Sequence, residues 1–160
     1  MTSTPDATET KFRIRNLYKV FGPKPEFALR ELLDNDFSKT ELLEKHNHAL
    51  ALKNINLEAK AGEITVIMGL SGSGKSTLIR HVNRLIEPTS GEIIFEGEDI
   101  LRCSADELRA IRREKMSMVF QNFGLLPHRT VIENAGLALE ARGISRREKF
   151  SEAEKWLDEV

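Results

Sequence analysis

The chain has 160 residues, of which 40% are apolar and 31% charged, a composition typical of one globular domain that buries a core and not of a disordered protein. Because 24 basic residues are balanced by 25 acidic ones, the charge indicates no bulk attraction to nucleic acid or anionic lipid. The single cysteine, Cys103, excludes an internal disulfide and a multi-cysteine metal site. No apolar run approaches the roughly 18 residues that a membrane span needs.

The first segments predict a tail, a strand and a helical pair. Residues 1–10 are polar and lack the basic start and apolar middle of a signal peptide, so we expect a disordered tail. Residues 12–17 alternate loosely, as a strand does, and a Gly-Pro break follows. Residues 26–46 change to helical spacing, with a capping box of Ser38 and Glu41 before the second piece.

Strands and a helix are predicted in the middle of the chain. Residues 50–57 alternate again and predict a strand with a bulge. Residues 63–68 have almost no polar face, which is typical of a strand buried on both sides in a parallel sheet. A glycine-rich loop follows, and then a helix over residues 75–86 and a short strand over residues 92–95.

Capping boxes mark the helices of the last third. Ser104 with Glu107 predicts a helix through Arg113, and Thr130 with Glu133 predicts one through Arg142. Ser145 and Glu148 cap a last helix, whose apolar stripe comprises Phe150, Ala153, Trp156, Leu157 and Val160. Between the first two helices, residues 116–120 predict another apolar strand and residues 121–128 a loop.

The strongest chemical signal is the sequence GLSGSGKST at residues 69–77, which fits the pattern G-x-x-x-x-G-K-[ST] between an apolar strand and a helix. Glycines let successive backbone N–H groups turn towards phosphate oxygens, and the helix directs its positive end at the same oxygens. Lys75 then neutralises the β- and γ-phosphates, and the Ser76 hydroxyl is suited to ligating Mg²⁺. The predicted nucleotide-binding residues of the loop are Gly69, Ser71, Gly72, Ser73, Gly74, Lys75, Ser76 and Thr77.

Two further residues are candidates outside this loop. Gln121 follows the predicted strand over residues 116–120, where an amide faces a ligand at the carboxyl end of a parallel strand; the alternative is a solvated loop residue. Phe21 lies at the break after the first strand, where its ring either stacks on an adenine or packs in the core.

With these motifs placed, the sequence resembles an ATP-binding subunit of an ABC transporter, and more narrowly the ATPase of importers for glycine betaine, proline and related quaternary amines. The resemblance covers residues 12–160 and depends on four segments: residues 67–77, 83–89, 118–121 and 126–134. The helical insert over residues 26–46 is similar to the osmoprotectant branch.

The resemblance implies an α/β P-loop NTPase core of ABC type with an antiparallel β subdomain and a short helical insert. It implies ATP and Mg²⁺ as cofactors, a catalytic and metal-contacting Gln121, and an adenine-stacking Phe21. As partners it implies membrane-spanning permease subunits, a periplasmic or extracellular substrate-binding protein and a second ATPase subunit. Such a protein binds peripherally at the cytoplasmic face of the inner (plasma) membrane, and residues 125–133 resemble the surface that meets the permease.

The chain lacks the later motifs of this family, namely the L-S-G-G-Q signature, the apolar strand ending in Asp-Glu and the switch histidine. We therefore expect residues 11–160 to be the N-terminal part of an ATP-binding domain that is incomplete after residue 160. The full-length protein is expected to be a transport-coupled ATPase, and the 160-residue chain alone to be inactive. Two alternatives stay open: a nucleotide-binding fragment without turnover, and a small P-loop kinase.

Overall fold

The computed structural model describes residues 9–35, 38–121 and 124–160, and the chain divides into two compact units, Met1–Cys103 and Ser104–Val160. Of the tail predicted over residues 1–10, the first eight lie outside the described residues. Thr10 was wrongly included in that tail, because it pairs with Lys60 and begins the first strand.

The first unit is built on an antiparallel sheet. Among the described residues its strands are β1 (Thr10–Phe21), β2 (Ala49–Lys60), β3 (Ser90–Phe95) and β4 (Glu98–Asp99), in the order β2-β1-β3-β4. The first three confirm predicted strands, and the two-residue β4 was not predicted. The sheet buries one set of β1 side chains, as expected for a sheet that covers a core on one face, and the register shifts after Ile14 and Leu17 break the simple alternation along the strand. The buried side chains are Phe12, Ile14, Leu17 and Val20.

The predicted bulge in β2 is confirmed, and its position matters for the site. Lys19 pairs with Leu52 and Val20 pairs with Leu50, so Ala51 is left between two successive pairs. Such an extra residue bends the strand locally and moves its backbone out of the regular ladder.

The helical insert between β1 and β2 forms α1 (Pro25–Asn35) and α2 (Lys39–His46), as predicted. The capping box of Ser38 and Glu41 is present. Leu29, Leu32 and Leu42 of the predicted apolar stripes are buried in one cluster with Val20 and Leu50. Three other large apolar side chains in the described part of the insert are exposed: Phe27, Leu33 and Leu43.

Helix α3 (Lys75–Val82) begins where it was predicted but ends four residues before the predicted end at residue 86. Arg84 adopts a left-handed conformation with φ of 53°, which stops the helix. Its guanidinium donates to the carbonyl oxygens of Ile100 and Cys103 and thereby ties the end of α3 to the segment after β4.

The second unit contains α4 (Ala105–Glu114), α5 (Val131–Ala135), α6 (Leu137–Ala141) and α7 (Arg146–Asp158). The predicted capping boxes at Ser104 and Thr130 are both present, and Ser145 caps α7.

The prediction of one continuous helix through Arg142 is wrong, because the helix is interrupted at Gly136. A Cβ atom there would lie 2.7 Å from Cγ of Lys149, so the close approach of α7 requires glycine at this position. Of the predicted stripe, Ala153 in α7 is buried, whereas Trp156 in α7 and Val160 beyond its end are exposed.

Two strand predictions are wrong. Residues 63–68 and 116–120 form no strand, and Ile64 and Val119 are 92% and 98% exposed. A buried parallel strand needs hydrogen-bonded neighbours, and the described strands pair only with one another, in antiparallel pairs. The apolar composition therefore predicted neither the exposure of these runs nor their lack of strand structure.

No helix in the described part of the chain is both long and apolar enough to cross a membrane.

Candidate nucleotide-binding site

The glycine-rich loop leads directly into α3, and β2 lies beside it. Gly74 is the N-cap residue of α3 and has a φ of 94°, a left-handed conformation that non-glycine residues rarely adopt. A Cβ atom on Gly74 would lie 2.9 Å from the carbonyl oxygen of Ala51, the bulged residue of β2. The bulge and the glycine therefore fit each other, and together they fix where the helix begins.

Lys75 folds back over the loop that precedes it. Its Nζ donates to the carbonyl oxygens of Gly69 at 2.8 Å and Leu70 at 2.6 Å, and lies 3.5 Å from the Ser73 hydroxyl. A Cβ atom on Gly69 would lie 2.8 Å from the same hydroxyl oxygen, so a side chain at residue 69 would obstruct these contacts between Lys75 and the loop. The lysine is thus held at the centre of the loop by the loop's own oxygens.

A cavity of about 190 Å³ opens at the start of α3. Its lining consists of Ala51, Gly72, Ser73, Gly74, Lys75, Ser76 and Thr77. The first N–H groups of a helix have no partners within the helix, and the helix dipole adds positive potential at this end. With a lysine beside them, these groups form a site that is suited to a polyanion such as a phosphate chain.

The residues that line the cavity fit a nucleotide phosphate chain, but by themselves they provide few ligands for a metal ion. The Ser76 side chain is exposed beside the cavity, and its hydroxyl is a hard oxygen ligand of the kind that Mg²⁺ prefers. Within residues 9–35, 38–121 and 124–160, no group of three or more His, Cys, Asp or Glu side chains could hold a metal. The phosphates themselves and water would supply further ligands to a magnesium ion beside Ser76.

Phe21 lies at the end of β1 with 42% of its surface exposed, so its ring is not packed in the core. It pairs with Ala49 of β2, two residues before Ala51, which lines the cavity. The ammonium group of Lys19 lies 4.9 Å from the centre of the Phe21 ring. One ring face therefore has a cation near it, and the stacking of the ring on adenine stays a prediction.

Gln121 belongs to the second unit, where it is exposed in a bend. The two residues that follow it lie outside the described residues. Its contact with magnesium or with water at the phosphate chain stays a prediction.

His81 is a supporting residue that contacts the first turn of its own helix, α3. It is fully buried in α3, and its Nδ1 lies 2.7 Å from the carbonyl oxygen of Thr77. Since a carbonyl only accepts, Nδ1 carries the proton and donates. Burial lowers the pKa of His81, so the ring is neutral at neutral pH and braces the first turn of α3. The spacing of four residues between Thr77 and His81 was the available signal.

Comparisons with known proteins agree with this geometry. The family model described as ABC transporter matches residues 52–160. The glycine betaine/proline betaine transport system ATP-binding protein of Escherichia coli (strain K12) is 48% identical over 143 residues, which cover 89% of this chain and 36% of that protein. The glycine betaine transport ATP-binding protein of Bacillus subtilis (strain 168) is 44% identical over 92% of this chain and 35% of its own length. The chain thus spans about a third of these curated relatives.

A solved structure supports the same assignment. The dimeric structure of an ATP-binding cassette in a post-hydrolysis state, bound to ADP and Pi, matches with a TM-score of 0.72 and 32% identity, covering 92% of this chain and 56% of that one. The mixed α/β fold with its antiparallel sheet is therefore that of an incomplete ABC ATPase cassette. From the match over residues 52–160 and the loop geometry around Lys75, we conclude that this chain belongs to the ABC transporter family.

Proposed function

We propose that the protein is the ATP-binding subunit of an ABC importer for glycine betaine, proline or related quaternary amines. The observation that carries this proposal is the lysine-centred loop at the start of α3, found in a chain whose relatives are named as glycine betaine transport ATP-binding proteins. The proposed activity is ATP hydrolysis coupled to uptake of the amine.

In this proposal the loop binds the phosphates of ATP. Lys75 exchanges its contacts with the Gly69 and Leu70 carbonyls for contacts with the β- and γ-phosphates, while N–H groups at the start of α3 hold the remaining oxygens. Ser76 holds Mg²⁺, which supplies charge neutralisation along the phosphate chain. Thr77 lines the cavity and is assigned to the α-phosphate. Phe21 is assigned to the adenine and Gln121 to magnesium and the attacking water.

The proposed partners are two membrane-spanning permease subunits, a periplasmic or extracellular substrate-binding protein and a second copy of the ATPase. The dimeric state of the solved cassette supports the pairing of ATPase subunits. The near-zero net charge of −1 supports the absence of nucleic acid among the partners. The proposed location is the cytoplasmic face of the inner membrane, where the protein binds peripherally through the permease.

The alternative of a small P-loop kinase is not favoured, because the family match covers most of the chain. The alternative of a nucleotide-binding fragment without turnover shares ATP binding with the main proposal and differs from it only in that the ATP is not hydrolysed.

Calorimetric titration with ATP and Mg²⁺ tests the site, and uptake of radiolabelled glycine betaine by vesicles holding the assembled transporter tests the substrate class. We expect saturable binding of ATP for which AMP competes only weakly, since AMP lacks the β- and γ-phosphates assigned to Lys75. Absence of saturable binding would refute the site, and normal ATP binding without amine uptake would refute the substrate class alone.

A further inference from the structure

His48 is a buried side chain that joins the two ends of the helical insert between β1 and β2. Its Nε2 accepts a hydrogen bond from the backbone N–H of Lys24 at 3.1 Å, and its Nδ1 contacts the carbonyl oxygen of His46. Because a carbonyl only accepts and an N–H only donates, the ring is neutral and carries its proton on Nδ1. Lys24 directly precedes α1, and His46 is the last residue of α2. One imidazole therefore bonds the chain at both ends of the insert.

The same ring packs against the backbone of Gly22. A Cβ atom on Gly22 would overlap Cδ2 of His48 and would lie 2.9 Å from Nε2. The imidazole thus occupies the space that a side chain at residue 22 would need. Packing and hydrogen bonding together hold the backbone of residues 22–24 against His48.

These contacts lie next to Phe21, the residue assigned to the adenine. Phe21 pairs with Ala49 at the end of the β1–β2 ladder, one residue before Gly22 on one strand and one residue after His48 on the other. The ladder ends at this pair, and the contacts of His48 continue the connection between the two segments one step further. The backbone that carries the Phe21 ring is consequently fixed on both sides of the residue.

Lys19 limits how the Phe21 ring can be used. Its ammonium group lies 4.9 Å from the ring centre and donates to the carbonyl oxygen of Glu87 at 2.7 Å. One ring face is thus occupied by a cation that is itself held in place, which leaves the other face for a base. The orientation of the backbone at residues 21–24 then determines where that free face points.

We propose that His48 is a positioning residue for the base-binding end of the nucleotide site and acts on the Phe21 ring through the backbone of residues 22–24. The inference rests on the proposed function, which assigns Phe21 to the adenine, and adds the residue that holds this ring before a nucleotide arrives. A ring that is already ordered loses less conformational entropy on binding than a mobile one. His48 therefore contributes to affinity for the base, whereas the phosphate chain is assigned to the cavity at the start of α3, which other residues line.

Calorimetry with two ligands tests this role: Mg·ATP, and magnesium tripolyphosphate, which has the phosphates but no base. His48→Leu removes both ring nitrogens, whereas His48→Gln keeps an oxygen that can accept from the Lys24 N–H. We expect His48→Leu to weaken ATP binding about three- to tenfold and to leave tripolyphosphate binding within about twofold, and His48→Gln to lose less ATP affinity than His48→Leu. Asn35→Ala, which removes a side-chain hydrogen bond at the exposed end of α1, is the matched control and should change neither affinity.

A purely structural role would weaken both ligands equally, and that result would overturn the inference, as would unchanged ATP affinity in His48→Leu or equal losses in the leucine and glutamine variants. If His48→Leu does not fold, His48→Gln carries the same comparison of the two ligands, because it still lacks the ring that packs on Gly22.

Phe21→Ala separates this inference from the proposed function. If Phe21→Ala weakens ATP binding alone and His48→Leu weakens neither ligand, only the inference is refuted. If Phe21→Ala weakens neither ligand, the assignment of Phe21 to the adenine is refuted, and if the wild-type protein binds neither ligand, the proposed site is refuted; the inference fails with either.

Discussion

At Lys75, one ammonium group lies within hydrogen-bond distance of two carbonyl oxygens and near a hydroxyl of its own loop. A neutral oxygen is a weaker partner for a cation than a phosphate oxygen, because charge-assisted hydrogen bonds are the stronger ones. The lysine is therefore ready to exchange these partners for those of a nucleotide.

Replacing Lys75 with alanine should weaken nucleotide binding. Removal of a charge-assisted contact costs about 1.5–3 kcal/mol, which corresponds to about ten- to a hundredfold in affinity. Calorimetry with Mg·ATP on Lys75→Ala measures this loss. Lys53→Ala, at an exposed position of β2, is the control that removes a lysine elsewhere in the same unit; equal affinities for Lys75→Ala and wild type would contradict the site.

Gln121→Ala should affect coupling more than binding. Its assigned contact with magnesium and water forms mainly in the closed state, so Mg·ATP affinity should stay within a few-fold, whereas stimulated ATPase and uptake fall well beyond that. Reconstituted vesicles report both quantities in one preparation. A loss of ATP affinity as large as that of Lys75→Ala would make Gln121 a ground-state ligand, and normal uptake would make it a solvated loop residue.

Among the elements, the start of α3 depends on the fit between a helix N-cap and a strand bulge. Gly74→Ala adds a Cβ atom 2.9 Å from the Ala51 carbonyl in a backbone conformation that alanine disfavours, so it should reduce both ATP affinity and stability. Gly72→Ala is the matched control, because Gly72 has a positive φ of 74° with open space around it. We expect a larger loss in thermal unfolding midpoint and in affinity for Gly74→Ala than for Gly72→Ala. Equal losses would mean that the close approach of Gly74 to β2 contributes nothing to stability or to ATP affinity.

The segment before α5 and the helices α6 and α7 meet at Glu140, and their packing should depend on pH. Hydrogen bonds from Arg129 and then Lys149 lower the pKa of Glu140 from 4.5 to about 2. Because the folded pKa lies below the unfolded one, the stabilisation is complete above about pH 4.5 and is lost as the pH falls through about 2. Denaturant titrations of Glu140→Gln and wild type should therefore differ most at neutral pH and converge as the pH is lowered.

Glu154→Gln, which removes one exposed carboxylate from α7, is the control for the loss of a single charge in this pH series. A stability difference between Glu140→Gln and wild type that is constant from neutral to acid pH would contradict the assigned ion pairs.

Local signals predicted local structure well in this chain. The boxes at Ser38, Ser104 and Thr130 are formed within four consecutive residues, so the sequence contains everything that decides them. The strand predictions for residues 63–68 and 116–120 failed because pairing depends on neighbours distant in sequence, which an apolar run does not reveal. The Thr77–His81 bond, by contrast, joins residues four apart in one helix, so spacing alone made it possible to expect it.

For the whole molecule, the 160-residue chain should bind ATP without turning it over above background. The phosphate-binding loop is present, but the sequence contains no apolar strand ending in Asp-Glu after Gln121 and no signature motif. A phosphate-release assay on purified residues 1–160, with Lys75→Ala as the blank, checks this. Turnover that Lys75→Ala abolishes would show that the chain carries a complete catalytic centre.

The contacts of Lys75 with its own loop also determine how much negative charge an anion needs in order to bind this lysine. An arriving anion must replace two carbonyl oxygens that already stabilise the ammonium group. A monovalent ion such as chloride gains little by this replacement, whereas a polyphosphate brings several charged oxygens to one lysine and one helix end. We therefore expect chloride and similar monovalent anions to bind weakly at this loop. Nucleotide binding should consequently be less sensitive to added chloride than binding at an exposed lysine cluster would be.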